Sequence, residues 1–299
     1  MKTTFSFIIS VLTGFVVIAQ PVTQEDRTKA NEYFIAADWP KVVSAYQAIA
    51  KHEPQNVTAR MRTGIGLLNL TKTQEAIKQL EEASSLGKNP MCFFYLATAY
   101  AQAKQSDKCV AALDNAIKNG FSALTLFEND PNLTKIKSIP AIEEIHQRLL
   151  KSVYPCRYSE QARQFDFWIG EWDVKSTTGQ QAGTSSIQLM LGECVIYENW
   201  TSAPPQNYAG KSFNLVNAAT GKWMQTWVDD KGAVIEFIDG EYKDNKLVFV
   251  TKPDSQNQIT RLTFFNIEPN LVRQLFEVTI DDGKSWKTTT DLYYHRISK

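Results

Sequence analysis

Histidine is scarce in this chain, with three among 299 residues: His52, His146 and His295. They stand in unrelated settings, so no base is visible for a serine or cysteine nucleophile. The four cysteines, Cys92, Cys109, Cys156 and Cys194, form no Cys-x-x-Cys pair and have no histidine at ligand spacing. A redox motif and a zinc site therefore lack support. Charge of one sign is missing too, because 32 basic residues balance 32 acidic ones. Without a global positive field, neither nucleic acid nor an anionic membrane surface is an expected partner. Glycine (14) and proline (11) are too few for a collagen-like or low-complexity chain. What is present is a 43% hydrophobic composition, that of a folded chain with real cores. Its length suits two domains.

Lys2 precedes an apolar run from Phe5 to Ala19 that closes before Gln20 and Pro21. The run is short for a bilayer span, and Val17 with Ala19 supplies the small pair a signal peptidase accepts. Residues 1–19 are thus expected to be a signal peptide cut near Ala19; an uncleaved anchor is the alternative. No cysteine follows the run, so no lipid anchor is expected there. The mature chain would be periplasmic or secreted, with no stable membrane anchor. In such an oxidising space Cys156 and Cys194 can pair, which the sequence leaves open. Cys92 and Cys109 fall in helical patterns and read as small buried apolar residues.

Self-similarity runs through the first half with a period of 34 and then 33 residues. Ala30, Gly64 and Ala97 align, as do Tyr33, Leu67 and Tyr100; Tyr46, Leu80 and Leu113; and Ile49, Ala83 and Ala116. Small residues in one column let paired helices approach, and large ones fill the groove between them. This resembles the tetratricopeptide repeat over about residues 25–120, with the family's Trp, Gly and Pro positions only partly kept. Asn129-Asp130-Pro131 marks a turn, and Pro140 opens a further helix whose Ile142, Ile145, Leu149 and Leu150 stripe suits a cap on the last repeat. The helical region is expected over 25–152 and a linker over 153–163. Such an array usually holds a protein or peptide partner; the plainer role is a scaffold for the second domain.

From Phe165 the pattern turns to short alternating runs broken by turn residues such as Thr178-Gly179, Asp239-Gly240 and Asp244-Asn245. About ten strands over 164–299 predict an antiparallel up-and-down β-barrel, wide enough to enclose a cavity. The fold class is therefore multi-domain α and β. The segment 165–174, Phe-Asp-Phe-Trp-Ile-Gly-Glu-Trp-Asp-Val, resembles the opening of lipocalin-like (calycin-type) barrels, with Gly-x-Trp at the first strand. More narrowly, it is similar to a family of secreted bacterial proteins without a settled activity. That family continues with a Cys (Cys194), Glu-x-Trp (Glu198 to Trp200), Ser-x-Asn (Ser212 to Asn214) and Trp-x-Gln-x-Trp-Val-Asp (Trp223 to Asp229), and the likeness runs on through Arg261 to Tyr294.

Period-two alternation puts Trp223, Gln225, Trp227 and Asp229 on one face of a strand, and Cys194, Ile196, Glu198 and Trp200 on one face of another. Facing inward with Ser212, Asn214 and Arg261, they make a candidate pocket for a small apolar or amphipathic ligand. Facing a barrel end, they are packing, with Glu198 and Arg261 as an internal ion pair. The first functional expectation is a non-enzymatic binding protein with a ligand in the barrel and a protein partner on the repeats. An enzyme using Glu198 as general acid or base, with Gln225 or Arg261 as stabiliser, is the second; a structural protein with a filled barrel is the third. No catalytic residue, metal ligand or cofactor is assigned. His295 makes a haem site conceivable only if it faces inward. The segment Thr279 to Trp286 fits an Asp-box, but it occurs once, so a hairpin is expected rather than a propeller blade.

Overall fold

Helices form where the period of 34 sets small and large apolar residues on facing stripes. In the computed structural model, which describes residues 21–297, α1 (Gln24–Ile35) pairs with α2 (Trp39–His52), α3 (Val57–Asn69) with α4 (Thr73–Leu86), and α5 (Pro90–Gln102) with α6 (Ser106–Lys118). These are three helical hairpins in series, a short array of tetratricopeptide type. The expected signal peptide lies outside the described residues. Local chemistry starts the helices: Thr23 and Asp26 form a capping box on α1, and the Asn56 Oδ1 accepts from the Ala59 N–H at 2.9 Å on α3. Ala30, Ala97, Leu67, Leu80, Leu113, Ala83 and Ala116 are all buried. A Cβ at Gly64 would lie 2.5 Å from the Leu80 side chain, so that column needs its smallest member there.

After the array come α7 (Leu124–Asn129), α8 (Pro131–Thr134) and α9 (Pro140–Val153). The Asp130 carboxylate caps α8 by accepting from the Asn132 and Leu133 N–H groups, each at 2.9 Å. The expected α9 stripe is real, since Ile142, Ile145 and Leu149 are buried. His146 stacks on Phe127 and meets Glu128 at 2.9 Å.

The chain divides into two units, Met1–Leu149 and Leu150–Lys299. The stretch read as a linker, 153–163, is built into the second unit. It carries 3-10 turns at Pro155–Tyr158 and Gln161–Arg163, and Cys156 is bonded to Cys194. Arg157 and Arg163 both reach the Glu193 carboxylate beside that disulfide. Cys194 sits in the turn ahead of its strand rather than on it.

Ten antiparallel strands follow: β1 (Gly170–Ser176), β2 (Gln181–Met190), β3 (Val195–Ser202), β4 (Ala209–Asn217), β5 (Lys222–Asp229), β6 (Val234–Lys243), β7 (Lys246–Val250), β8 (Ile259–Glu268), β9 (Leu271–Thr279) and β10 (Lys287–Arg296). Each pairs with the next, and β1 closes on β10. Phe165 to Ile169 is not strand; a 3-10 turn at Asp166–Trp168 inserts Phe165 and Trp168 into one end of the barrel. There they pack with Trp172, Trp223, Phe249 and Phe264 in a dry core. Arg296 covers that end. Its guanidinium donates to the Ile169 and Phe167 carbonyls at 2.6 and 3.2 Å and lies 4.1 Å over the Trp172 ring.

Candidate functional site

The barrel is filled at one end and hollow at the other. The hollow is a cavity of about 590 Å³ between the β1–β2 hairpin, the 203–206 turn and the inner faces of β3, β5, β6, β9 and β10. That volume is within the range of small-molecule sites. Its walls are Trp200, Tyr208, Trp227, Phe237 and Phe276, and deeper in lie Glu198, Gln225, Gln274 and Tyr294. Trp227 fits because Gly210, diagonal to it on β4, carries no side chain: a Cβ there would stand 2.1 Å from the indole.

A hydrogen-bonded relay sits under the cavity. Gln225 Nε2 donates to Asn214 Oδ1 at 2.7 Å, and Asn214 Nδ2 donates to Ser212 Oγ at 3.0 Å and to the Ile196 carbonyl at 2.9 Å. Ser212 then donates to Glu198 Oε2, and Ser185 donates to Oε1, both at 2.9 Å. Tyr294 approaches Glu198 Oε1 at 3.4 Å but gives its stronger hydrogen bond to Gln274 Oε1 at 3.0 Å. Glu198 is only 2% exposed. Burial raises its carboxyl to about 7, against the pull of the Ser185, Ser212 and Tyr294 hydroxyls. Burial first, then the neighbouring Glu198 charge, lifts the Tyr294 phenol well above 10.

The sequence candidates separate into five places. Glu198, Trp200, Gln225 and Trp227 line the cavity. Ser212 and Asn214 are buried in the relay beneath it. Trp223 belongs to the dry core and donates to Gln164 at 3.1 Å. Asp229 and Arg261 are elsewhere. Asp229 ends β5 as a turn residue, where its Oδ1 accepts from the Lys231 and Ala233 N–H groups and its Oδ2 from Tyr208. Those contacts, the Ala233 N–H foremost, hold its carboxyl below the ordinary range.

Arg261 corrects the expected inward face. Leu262 and Phe264 are fully buried, so β8 turns Arg261 outward, where it pairs with Glu277 at 2.7 Å and lies 4.0 Å over Trp286. The internal Glu198–Arg261 ion pair is thereby replaced by a carboxyl among hydroxyls. His295 is exposed, which removes the geometry a haem ligand would need. Among the described residues no group of three or more His, Cys, Asp or Glu could hold a metal ion. The Asp-box segment is a hairpin turn: Asp281 Oδ1 accepts from the Ser285 N–H at 2.9 Å and Oδ2 from its hydroxyl at 2.6 Å, which holds the Asp281 carboxyl at about 2.

Sequence reading missed Ser185, Gln274 and Tyr294. Each shares an inner face with an apolar neighbour two residues away: the buried Ile187 and Val272, and the half-buried Leu292. That alternation was the available signal.

No protein-family model matches the chain, and no curated protein does. Among solved structures, the TPR2B domain of yeast Sti1, solved as a pHsp70 complex, is 23% identical over 42% of this chain and 94% of that one, with a TM-score of 0.32. The first TPR of Spaghetti (RPAP3), bound to an HSP90 peptide, is 14% identical over 42% and 90%, with a TM-score of 0.33. MamA (41-end) from Desulfovibrio magneticus RS-1 is 16% identical over 45% and 76%, with a TM-score of 0.36.

Proposed function

We propose that this chain is a secreted or periplasmic binding protein that holds a small amphipathic molecule in its barrel and a protein or peptide on its helical array. The cavity carries the reading: one end of the barrel is hollow, walled by aromatic rings and floored by polar groups already fixed by hydrogen bonds. A filled structural barrel would have continued the dry core to both ends. The repeat array supports a protein partner on general grounds, because stacked helical hairpins present an extended surface. The signal-like run Phe5 to Ala19 supports export.

Native mass spectrometry of the chain isolated gently from its own host tests the ligand half of this reading. A retained organic adduct is expected, and release identifies it. A bare polypeptide mass from several preparations would move the function to the repeats.

One observation favours a second reading, an enzyme. A carboxyl held at about 7 within a cavity is suited to move protons near neutral pH. Incubation of the chain with the released molecule separates the two: a binding protein returns it unchanged, whereas turnover that Glu198→Gln abolishes establishes catalysis.

A further inference from the structure

We infer that the barrel cavity is a receptor for an organic monocation, an amphipathic amine or ammonium whose nitrogen rests against Glu198 while its apolar body fills the aromatic end. The inference rests on the barrel being a binding site and adds the charge of what it binds.

Charge balance is the first ground. Glu198 is buried and faces the cavity, yet among the described residues no Lys, Arg or His lines that space. Arg261, the basic residue nearest in expectation, is committed to Glu277 on the outer face. A buried carboxylate needs a positive partner or it takes a proton.

Hydrogen-bond direction is the second. Both Asn214 Nδ2 protons are spent, on the Ile196 carbonyl and on Ser212 Oγ. The Ser212 hydroxyl therefore sends its own proton to Glu198 Oε2, which is locked as an acceptor. The other oxygen faces Ser185, whose hydroxyl can reverse. Glu198 is thus accommodated with or without a proton, and what enters the cavity sets its state.

The wall is the third. Trp200, Tyr208, Trp227, Phe237 and Phe276 border the same space. Aromatic rings attract cations through their quadrupoles and bury the apolar body of an organic ion, which an inorganic ion lacks.

Binding is coupled to one proton. Burial lifts the Glu198 carboxyl to about 7, and an adjacent cation draws it down. The groups packed on it are the Ser185, Ser212 and Tyr294 hydroxyls, with Gln225 and Gln274 beyond. Tyr294 alone among them titrates, and it stays neutral. Amine affinity therefore rises with pH up to about 7 and levels off above it.

The test titrates the full chain by calorimetry at about pH 8 with three probes of one shape: 4-phenylbutylamine, 4-phenylbutanol and 4-phenylbutyrate. The amine is expected to bind at least about ten-fold more tightly than the alcohol, and the carboxylate most weakly. Glu198→Gln should bring the amine-to-alcohol ratio to about one, with circular dichroism confirming the fold. An alcohol equal to the amine, or an amine preference that survives in E198Q, overturns the charge assignment and leaves the cavity as a binding site. No binding by any probe at millimolar concentration overturns both readings.

Discussion

Glu198 should make stability depend on pH in a direction opposite to that of most carboxylates. Its folded value of about 7 exceeds the ordinary 4.5, so the folded chain binds this proton more tightly than the unfolded one. The contribution to stability is full below about 4.5, falls as pH rises to about 7, and is constant beyond. At pH 8 the deficit is on the order of 3 kcal/mol. Replacing Glu198 by Gln should remove that slope. The amide can accept from Ser212 and donate to Ser185, whose hydroxyl reverses. Urea midpoints measured from about pH 4.5 to 8 should show the variant gaining on wild type as pH rises, and parallel curves would refute the assignment. Glu198 was legible because alternation along β3 put it with Ile196 and Trp200, and Gln225 with Trp227 was legible in the same way. Arg261 was not. Alternation gives two faces without saying which is inner, and on β8 the larger apolar pair, Leu262 and Phe264, took the interior. Asp229 shared the correct face but fell at a strand end, where turn amides claim a carboxylate first.

Single elements are governed by where a side chain must lie against bare backbone. Gly170 opens β1 at φ +139, a conformation L side chains rarely adopt, and a Cβ there would stand 2.2 Å from Arg296 Nη1. The guanidinium cannot retreat freely, because it donates to Phe167, Ile169 and Pro269 carbonyls and covers Trp172. Gly170→Ala should therefore cost on the order of 2–3 kcal/mol through strain and crowding. A urea midpoint unchanged from wild type would show that Arg296 holds nothing there. The helical counterpart is Gly64→Leu, which drives bulk into Leu80 between α3 and α4 and should cost about 1–3 kcal/mol, read by loss of helical ellipticity at lower urea. Element type and number were readable because the 34-residue period and the turn residues are local signals. The 3-10 turn at Asp166–Trp168 was not, because a run as apolar as Phe165 to Ile169 looks like a strand until the barrel end claims its rings.

Among the described residues, one hydrophobic cluster lies wholly within the helical region and another wholly within the barrel, and they share no residue. One gathers Ala30, Val42, Tyr46 and their neighbours, and the other runs from Phe165 to Tyr294. Alternation and repeats revealed this division, whereas the fate of residues 153–163 was hidden, since no local pattern says that a polar stretch will be bound down. The disulfide does much of that binding. Cys156 and Cys194 lie 38 residues apart within Leu150–Lys299, and none of the first unit is enclosed. Closing such a loop in the unfolded chain is worth roughly 4 kcal/mol. Reduction should therefore act on one unit alone. Scanning calorimetry should show the barrel transition falling by about 8–16 °C in reductant, while the helical transition stays in place. Near-ultraviolet dichroism assigns the barrel transition, because six of the seven tryptophans lie beyond residue 150. If both transitions fell together, the cores would be folding as one cooperative body. The disulfide would then stabilise the repeats as well.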